Sequence, residues 1–477
     1  MIAELPSYQD YATTPLKWIN RVPRHWKVLR GKYLLCEIDE HSTTGDEEML
    51  SVSHKTGVTP RRLKNVTMFM AESNIGSKVC HPGDVAVKTM WAWMAALGVS
   101  RHHGVVSPAY GVYRQIDASA YNSQYLDHLL RLPSYRDEYL TRSTGVTSSR
   151  LRLYPEAFLK IPFIVPPPDE QVAIVRYLDH VDRRIRRYIR VKQKLITLLE
   201  EQKQVIIHRA VTRGLNPDAR LKPSGVEWLG DVPEHWPIIP LRRICTKFGS
   251  GSTPKGGAQV YQESGIPFLR SQNVHFDGLR LEEVAYISPE THKRMASSHV
   301  QAGDVLLNIT GASLGRACHV PPDFVEANVS QHVCILRPGH SFISDMFLSL
   351  YLSTAGVQKY IYMSQNGSSR EGLTLADIRS MPVVLPDTDT QAMVAGATKQ
   401  LTAGLDSAIA SITKEVALIQ EYRTRLIADV VTGKLDVRAA AAALPDDDPA
   451  IDDDTPLDAD EADDLDEAID AMEEADA

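Results

Sequence analysis

Five cysteines, sixteen histidines and one glycine-rich run carry the most obvious capacity for chemistry in this 477-residue chain. Cys36, Cys80, Cys245, Cys318 and Cys334 are odd in number, widely spaced and form no Cys-x-x-Cys pair. That spacing argues against a disulfide framework and a structural zinc, and predicts reduced, mostly buried thiols in a cytosolic protein. The histidines show no metal-ligand spacing; His102 and His103 are adjacent, which sends their side chains apart on a strand or a helix. The run Gly249-Ser250-Gly251-Ser252-Thr253-Pro254-Lys255-Gly256-Gly257 has the look of a phosphate loop but lacks Gly-Lys-Ser/Thr in that order ahead of a helix. No Asn-Pro-Pro-Tyr or Asp-Pro-Pro-Tyr occurs, and no Gly-x-Gly-x-x-Gly opens a helix. The chain is therefore read as non-catalytic, with no catalytic residue, no metal ligand and no cofactor of its own.

What remains is charge. Lys and Arg number 52, Asp and Glu 60, for a net charge of -8. Residues 446–477 hold 17 of the acidic residues and no Lys or Arg, which leaves a body of 52 basic against 43 acidic residues. A basic body suits a polyanionic partner, although net charge by itself governs only solubility and steering. The terminal segment follows the alanine run Ala439–Ala443 and is rich in Asp, Ala and Pro. It is too polar to offset its ordering entropy by burial, so a disordered tail is expected. Such a tail either solubilises the protein or mimics DNA and competes for the basic surface. The remaining composition, 43% hydrophobic and 23% charged, is that of a globular protein. No run of 18 apolar residues and no basic n-region followed by an apolar h-region is present, so the expected location is cytoplasmic, without a membrane partner.

The elements that position these residues come twice, at a period of about 220 residues, far too long for a solenoid unit. Val22-Pro23-Arg24-His25-Trp26 is matched by Val232-Pro233-Glu234-His235-Trp236, and His81-Pro82-Gly83-Asp84-Val85 by Gln301-Ala302-Gly303-Asp304-Val305. Ser148-Ser149-Arg150 is matched by Ser368-Ser369-Arg370, and Ile161-Pro162-Phe163-Ile164-Val165-Pro166 by Met381-Pro382-Val383-Val384-Leu385-Pro386. Val211-Thr212-Arg213-Gly214-Leu215 and Val431-Thr432-Gly433-Lys434-Leu435 close the copies. Between these anchors the copies diverge almost completely.

Each copy opens with short strand-like runs punctuated by Gly and Pro, then passes through a proline stop into a long charged segment. Asp169 is placed to cap the first of these helices. Ile174, Leu178, Val181, Ile185, Tyr188, Lys192, Leu195, Leu199, Gln202 and Ile206 step alternately by four and three, an a/d seam. The second copy repeats the step in Val394, Thr398, Leu401, Leu405, Ala408, Ile412, Glu415, Ile419, Tyr422 and Leu426. A helix of about 38 residues is about 57 Å long and needs a partner for its seam. Each copy supplies one, so an antiparallel pair is expected, with Lys192 facing Glu415 and Leu195 facing Ile412. The interface would consist of Leu178, Val181, Ile185, Leu195 and Leu199 against Leu401, Leu405, Ile412, Ile419 and Leu426. Two divergent domains on a common helical spacer suit a two-site reader, and DNA with two half-sites meets that description.

The phrases Gly225-Val226-Glu227-Trp228-Leu229-Gly230-Asp231-Val232-Pro233-Glu234-His235-Trp236, Ser250-Gly251-Ser252-Thr253-Pro254-Lys255 and Gly265-Ile266-Pro267-Phe268-Leu269-Arg270 closely resemble the specificity subunit of type I restriction–modification enzymes. So do Leu50-Ser51-Val52-Ser53 with Gly57-Val58, and Gly104-Val105-Val106-Ser107-Pro108-Ala109-Tyr110, in the first copy. The resemblance covers roughly residues 15 to 437; the first copy lacks the Gly-x-Thr-Pro phrase, and the acidic tail lies outside the pattern. It implies an α+β fold: two pseudo-repeated globular α/β target-recognition domains joined by two long antiparallel coiled-coil helices, plus the disordered acidic C-terminal tail. The boundaries are 1–166 and 213–385 for the two recognition domains (the latter with its linker), 167–212 and 386–436 for the helices, and 437–477 for the tail. The resemblance also implies a bipartite, asymmetric double-stranded DNA target and two methyltransferase subunits as partners. In the full complex it adds two restriction/translocase subunits, with S-adenosylmethionine, ATP and Mg on the partners. Two other readings stay open on the residues alone: a single-chain restriction-methylase, and a coiled-coil protein-interaction scaffold without sequence-specific DNA binding.

Base reading favours Arg for guanine and Asn or Gln for adenine, while Arg and Lys grip phosphates. The DNA-binding candidates in the first domain are Arg61, Arg62 and Lys64, then Lys88, Trp91 and Trp93, then Arg101, His102 and His103, and Arg150. In the second they are Lys255, Arg270, Gln272 and Asn273, then Asn308, Thr310, Ser313 and Arg316, and Arg370. The glycine-rich run would bring Thr253 and Lys255 to a phosphate. The shared Ser149-Arg150 and Ser369-Arg370 suit phosphate gripping better than the reading of two different half-sites. Trp26 and Trp236 read as hydrophobic anchors between domain and helix. Arg183, Arg184, Arg186, Arg187 and Arg190 crowd one stretch of the first helix, facing either spacer DNA or a methyltransferase subunit.

Overall fold

The computed structural model describes residues 5–64, 73–145, 151–339, 341–365 and 372–445. Two compact units divide the chain: Met1–Val191 with Glu415–Ala477, and Lys192–Lys414.

In the first unit an antiparallel four-stranded sheet runs, in spatial order, Leu35–Ile38, Gly111–Gln115, Val85–Val87 and Leu97–Val99. In the second the order is Cys245–Ser250, Val333–Pro338, Val305–Asn308 and Ala317–His319. The internal repeat is thus a repeat of topology. The central strands Val85-Ala86-Val87 and Val305-Leu306-Leu307 are buried at every residue, as continuous apolar runs in a covered sheet should be. Each follows a turn whose glycine, Gly83 (φ 93°) or Gly303 (φ 80°), takes the left-handed conformation. The aspartate after it, 1% exposed in both copies, is clamped by an arginine. Arg114 donates Nε and Nη2 to Asp84 at 2.7 and 2.8 Å, and Arg337 does the same to Asp304 at 2.7 and 2.9 Å. These hydrogen bonds raise both guanidinium groups above their ordinary value.

The repeated proline phrase is also a strand. Pro162–Val165 pairs with Lys27–Arg30, and Pro382–Val384 with Ile238–Pro240. Divergence lies elsewhere. The second unit carries a further four-stranded sheet, Ala285–Ile287, Ile266–Leu269, Ala327–Val329 and His299–Val300. The first has two-stranded pairs instead, Leu50–Ser53 with Gly57–Pro60 and Lys78–Cys80 with Gly104–Val106.

The long helices are Pro168–Arg213, 46 residues, and Thr388–Val431, 44 residues, about 69 and 66 Å at 1.5 Å per residue. Asp169 lies inside the first turn rather than capping it, because Pro168 already occupies a position whose missing N–H costs nothing. Asp387 caps the second helix, accepting from Thr390 N–H at 2.9 Å. Gly214 (φ 72°) and Gly433 (φ 73°) end the helices, and each has a tryptophan ring against it: Trp236 on Gly214, Trp26 on Gly433. Gln171 and Gln391, both fully buried, pin the helix starts. Gln171 donates to the carbonyls of Ala120 and Pro166, and Gln391 to those of Phe342 and Pro386.

Within the first unit the helices run antiparallel, with Arg423 paired to Asp182 and Tyr188 bonded to Glu415. Within the second, Lys203 pairs with Asp406 at 2.5 Å. Leu178, Val181, Ile185 and Leu426 are buried, and Leu199, Leu405, Ile412 and Ile419 half-buried. Leu195 and Leu401 do not belong to the seam: they are 39% and 58% exposed, while Ile196 is half-buried and Thr402 is 5% exposed. The reason is the helical period. A step of 3.5 drifts from a straight helix of 3.6 residues per turn, so the inward stripe gains one residue along each helix, at Ile189 in the first and at Thr402 in the second. The chain after the second helix is also ordered further than a tail beginning at 437 implies. Val437, which precedes the short helix Arg438–Ala442, and Ala441 within it are buried in the first unit's core, and the description continues to Pro445.

Candidate nucleic-acid interface

In the second unit hydrogen bonds draw several loops to one place. Gly251 N–H donates to Val333 O (3.0 Å), Ser330 N–H to Leu269 O (2.9 Å), and Ile309 N–H to His332 O (3.0 Å). Asn308 Nδ2 donates to Ser271 O at 2.8 Å, and Leu373 N–H to Ile309 O at 2.9 Å. The segments at 251–257, 270–273, 309–316, 330–332 and 372–373 therefore converge. A Cβ on Gly251 would lie 1.9 Å from Val329 O, so only glycine permits this approach. Thr253, Lys255, Gln272, Gln331 and His332 are exposed on the cluster. Thr310 Oγ1 meets His332 Nδ1 at 2.6 Å, and Arg270 lies 5.9 Å from the Tyr261 ring centre with Nη2 donating to Glu283 O. Ser313 and Arg316, in the loop after the central strand, are half-buried.

Two candidates do not face outward. Asn273 is 2% exposed, its amide accepting from Arg270 N–H and donating to Arg280 O; it shapes the loop. Asn308 is fully buried, with Nδ2 shared between Ser271 O and Ser313 Oγ. The Asn273 amide is spent on backbone; the Asn308 Oδ1 is buried with no partner among the described residues.

The first unit builds the same junction. Leu153 N–H donates to Thr89 O at 3.0 Å, the counterpart of Leu373 on Ile309. Thr89 Oγ1 donates to Ala109 O at 3.0 Å, and Arg152 Nη2 lies 3.7 Å from Met90 Sδ. Lys88, Trp91 and Trp93 sit on this cluster. The indoles of Trp91 and Trp93 stack with centres 5.8 Å apart and planes 19° apart, and Lys88 Nζ is 5.9 Å from the Trp91 ring centre. Ala95, the one non-glycine residue with positive φ among those described, reverses the chain behind them at φ 65°.

The other first-unit candidates form a separate group. Val85 pairs with Val99 and Val87 with Leu97, so Arg101, His102 and His103 lie at the opposite end of the central strand from Lys88. All three are exposed, and the ring of His103 lies 4.8 Å from that of His81. The segment Glu48–Met49 links this end to Arg61, Arg62 and Lys64: Arg61 N–H donates to Met49 O, Val105 N–H to Glu48 O, and Arg62 pairs with Glu48 at 2.6 Å. Arg150 and Arg370 lie outside the described residues.

Sequence reasoning missed Arg152, Gln331 and His332. Arg152 had a signal, because it follows the repeated Ser-Ser-Arg by two residues. Gln331 and His332 had none, since their place depends on a strand pairing that no local pattern encodes. Among the described residues, no group of three or more His, Cys, Asp or Glu is placed to hold a metal ion. No helix among them is long and apolar enough to cross a membrane. The arrangement is one of donors, acceptors and flat rings on loops held by a rigid sheet.

No protein-family model matches the chain. Among curated proteins, the Escherichia coli type I restriction enzyme EcoBI specificity subunit is 23% identical over 334 residues, covering 67% of each chain. The Methanocaldococcus jannaschii putative MjaX specificity subunit is 23% identical over 317 residues, covering 66% of this chain and 68% of that one. Among solved structures, a chain from a study of the assembly and conformational transition of the type I restriction–modification system superposes with a TM-score of 0.57 at 16% identity. That match covers 87% of this chain and 99% of the other, and it places the fold. In sequence this chain is similar to specificity subunits of type I restriction enzymes, and in fold to a chain of a type I restriction–modification system.

Proposed function

We propose that the chain is the DNA sequence-specificity subunit of a type I restriction–modification complex. It reads a bipartite, asymmetric duplex site, one half with each loop cluster, and scaffolds the methyltransferase and restriction subunits. The observation that carries this reading is the duplicated junction. Leu153 on Thr89 and Leu373 on Ile309 fix equivalent loops by the same backbone bond, while the side chains displayed differ completely. A fixed frame with divergent surface chemistry is what two different half-sites demand. In the first half the Trp91–Trp93 stack with Lys88 supplies flat apolar and cationic contact; in the second, Gln272, Gln331, Lys255 and Arg270 supply amide and cationic donors.

Methyl transfer, strand cleavage and ATP use fall to the partner subunits, with S-adenosylmethionine, ATP and Mg bound there. The first long helix supports the scaffold role. Leu195, Leu198 and Val205 recur along it within the second unit by steps of three and seven, and are 39–66% exposed. A regular apolar stripe on a soluble helix marks a protein contact, here assigned to a methyltransferase subunit.

The test is a gel shift on duplexes identified by methylome sequencing of a host carrying the operon. Specific binding must be lost when either half is scrambled. A contiguous methylated motif, or binding indifferent to one half, refutes the reading. In the same complex, Leu198→Glu with Val205→Glu should abolish co-purification of the methyltransferase subunit and leave DNA binding by the chain alone intact.

A further inference from the structure

We infer that Tyr362, flanked by Met363 and Lys359, is a further base-contacting group of the second unit's loop cluster. This rests on the reading of a bipartite duplex and adds a flat ring to its second half. The repeat shows why a ring is wanted there. At the shift of 220 residues that aligns Val85 with Val305, Trp91 and Trp93 correspond to Gly311 and Ser313. Residues 309–316 contain no Phe, Tyr or Trp, so the indole stack of the first copy has no equivalent in that loop.

A helix stands beside the loop in both copies. Pro133–Arg142 packs on Ala92–Met94 in the first. In the second, Ala355–Met363 is tied to the loop by Gln358, whose Nε2 donates to Gly315 O at 2.9 Å and to Leu352 O at 2.7 Å. The approach is close, since a Cβ on Gly315 would lie 2.3 Å from Gln358 Oε1. Tyr362 follows Gln358 by four residues, about 40° around a helix of 3.6 residues per turn. It therefore stands one turn further along the side that meets the loop. Tyr360 points elsewhere and packs on Trp228, with ring centres 5.6 Å apart. Ala355, Lys359, Tyr362 and Met363 form the outward stripe, and the last two are 75% and 72% exposed.

The first copy uses the equivalent position differently. Arg142, which corresponds to Tyr362, turns back to donate Nε to Glu138 Oε2 at 2.9 Å. That helix carries Asp137 and Glu138, and its tyrosines, Tyr135 and Tyr139, are fully buried. Helix Ala355–Met363 has one Lys and no Asp or Glu. The flat ring thus sits on the loop in one copy and on the neighbouring helix in the other. A phenol and a thioether left in water beside an ammonium, with no carboxylate on the helix to repel a polyanion, suit a duplex. The apolar pair presses on base edges or a base step, and Lys359 takes a phosphate.

Two measurements on the full-length chain test this, with the bipartite duplex defined by methylome mapping as probe. A benzophenone-bearing amino acid at position 362 should photocrosslink to the second half of that duplex. Crosslinks to the first half, to no DNA, or only to protein when the methyltransferase subunit is present overturn the inference. Tyr362→Ala should weaken binding to the duplex about fivefold or more, the weight of one base pair, and Tyr362→Phe should retain most of the affinity. Neither should alter binding to a duplex whose second half is scrambled, which a folding defect would lower as well. Lys359→Ala should reduce the salt slope by about one and leave base preference unchanged. A wild-type chain that binds the scrambled duplex equally well overturns the bipartite reading, and this inference with it. A discriminating wild type whose affinity Tyr362→Ala fully matches overturns the inference alone.

Discussion

The indole N–H of Trp26 donates to Glu170 Oε2 at 2.9 Å, and the described residues of the second copy hold no counterpart. Trp236 Nε1 is buried with no partner among the described residues. Where the first copy has Glu170 the second has Thr390, whose hydroxyl donates to Asp387 instead. Glu170, 4% exposed, also accepts from Tyr8 OH at 3.0 Å and meets His25 Nε2 at 2.6 Å. With Arg438 at 3.5 Å it ties the N-terminal segment and the chain beyond the second helix to the start of the first. Two otherwise parallel copies are therefore stabilised by different means at the same junction.

Glu170→Ala tests that difference. It strands a buried indole donor and a phenol, while Arg438 keeps its pairing with Asp436, so the first unit should lose about 1–3 kcal/mol for each buried donor left unsatisfied. Thr390→Ala removes only a cap interaction and should cost about 1 kcal/mol or less. Urea denaturation of both variants checks the contrast, and equal losses would contradict it.

The cysteines make a second contrast. Burial pushes the thiols of Cys80, Cys245, Cys318 and Cys334 up to about 12, where essentially no thiolate exists at neutral pH. Cys36 is exposed. A disulfide reagent applied to the native protein at pH 8 should modify one thiol quickly, and Cys36→Ser should remove that reaction. All five should react in guanidinium chloride. Rapid modification of a second thiol in the native state would show that a core is opening.

Half-site separation provides the third. Trp91→Ala or Trp93→Ala should weaken binding through the first half alone, by about 1–3 kcal/mol per base pair no longer recognised, or roughly 5- to 150-fold. Lys255→Ala and Gln272→Ala should act on the second half alone, with Lys255 reducing the salt dependence and Gln272 relaxing base preference. Asn308→Ala is the control: it should lower thermal stability and leave the base preference of any remaining binding unchanged. Competition assays on duplexes altered in one half at a time read all of these.

Much of this frame was legible in the residues because the repeat preserves what the backbone cannot do without. Gly83 and Gly303 are demanded by left-handed turns, the following aspartates by an arginine clamp, and Trp26 and Trp236 by helix ends that lack a side chain. The helix seam was legible in step but not in phase, because Leu195 and Ile196 are equally apolar and only the true helical pitch chooses between them. The pair Gln171 and Gln391 went unread, since one buried glutamine looks like any surface glutamine until its carbonyl partners are known. The loop clusters were legible only as composition. Asn273 and Asn308 have the chemistry of base readers, yet both amides serve the protein's own carbonyls, and long-range strand pairing rather than local pattern decides that.

Acid should loosen the helix pair in the first unit, and Asp182 sets where. Burial alone would raise its carboxyl, but hydrogen bonds and charge from Arg423 and Arg186 outweigh burial and hold it below the ordinary carboxylate value. A carboxylate depressed by folding stabilises above its unfolded value of about 4, and that stabilisation is lost as pH falls through the folded value. Asp179 is shifted the other way, raised by burial, so it costs stability once pH climbs through its folded value. The two aspartates, one turn apart, therefore have opposite signs. Asp182→Asn should lower stability at pH 7 by about 1.5–3 kcal/mol, the range for hydrogen bonds to charged groups, and should flatten the acid limb of the stability curve below about pH 4. Asp179→Asn should be neutral or stabilising at pH 7 and leave the acid limb steep. Urea midpoints from pH 2.5 to 8 distinguish the two, and an acid limb unaltered in Asp182→Asn would place its origin elsewhere.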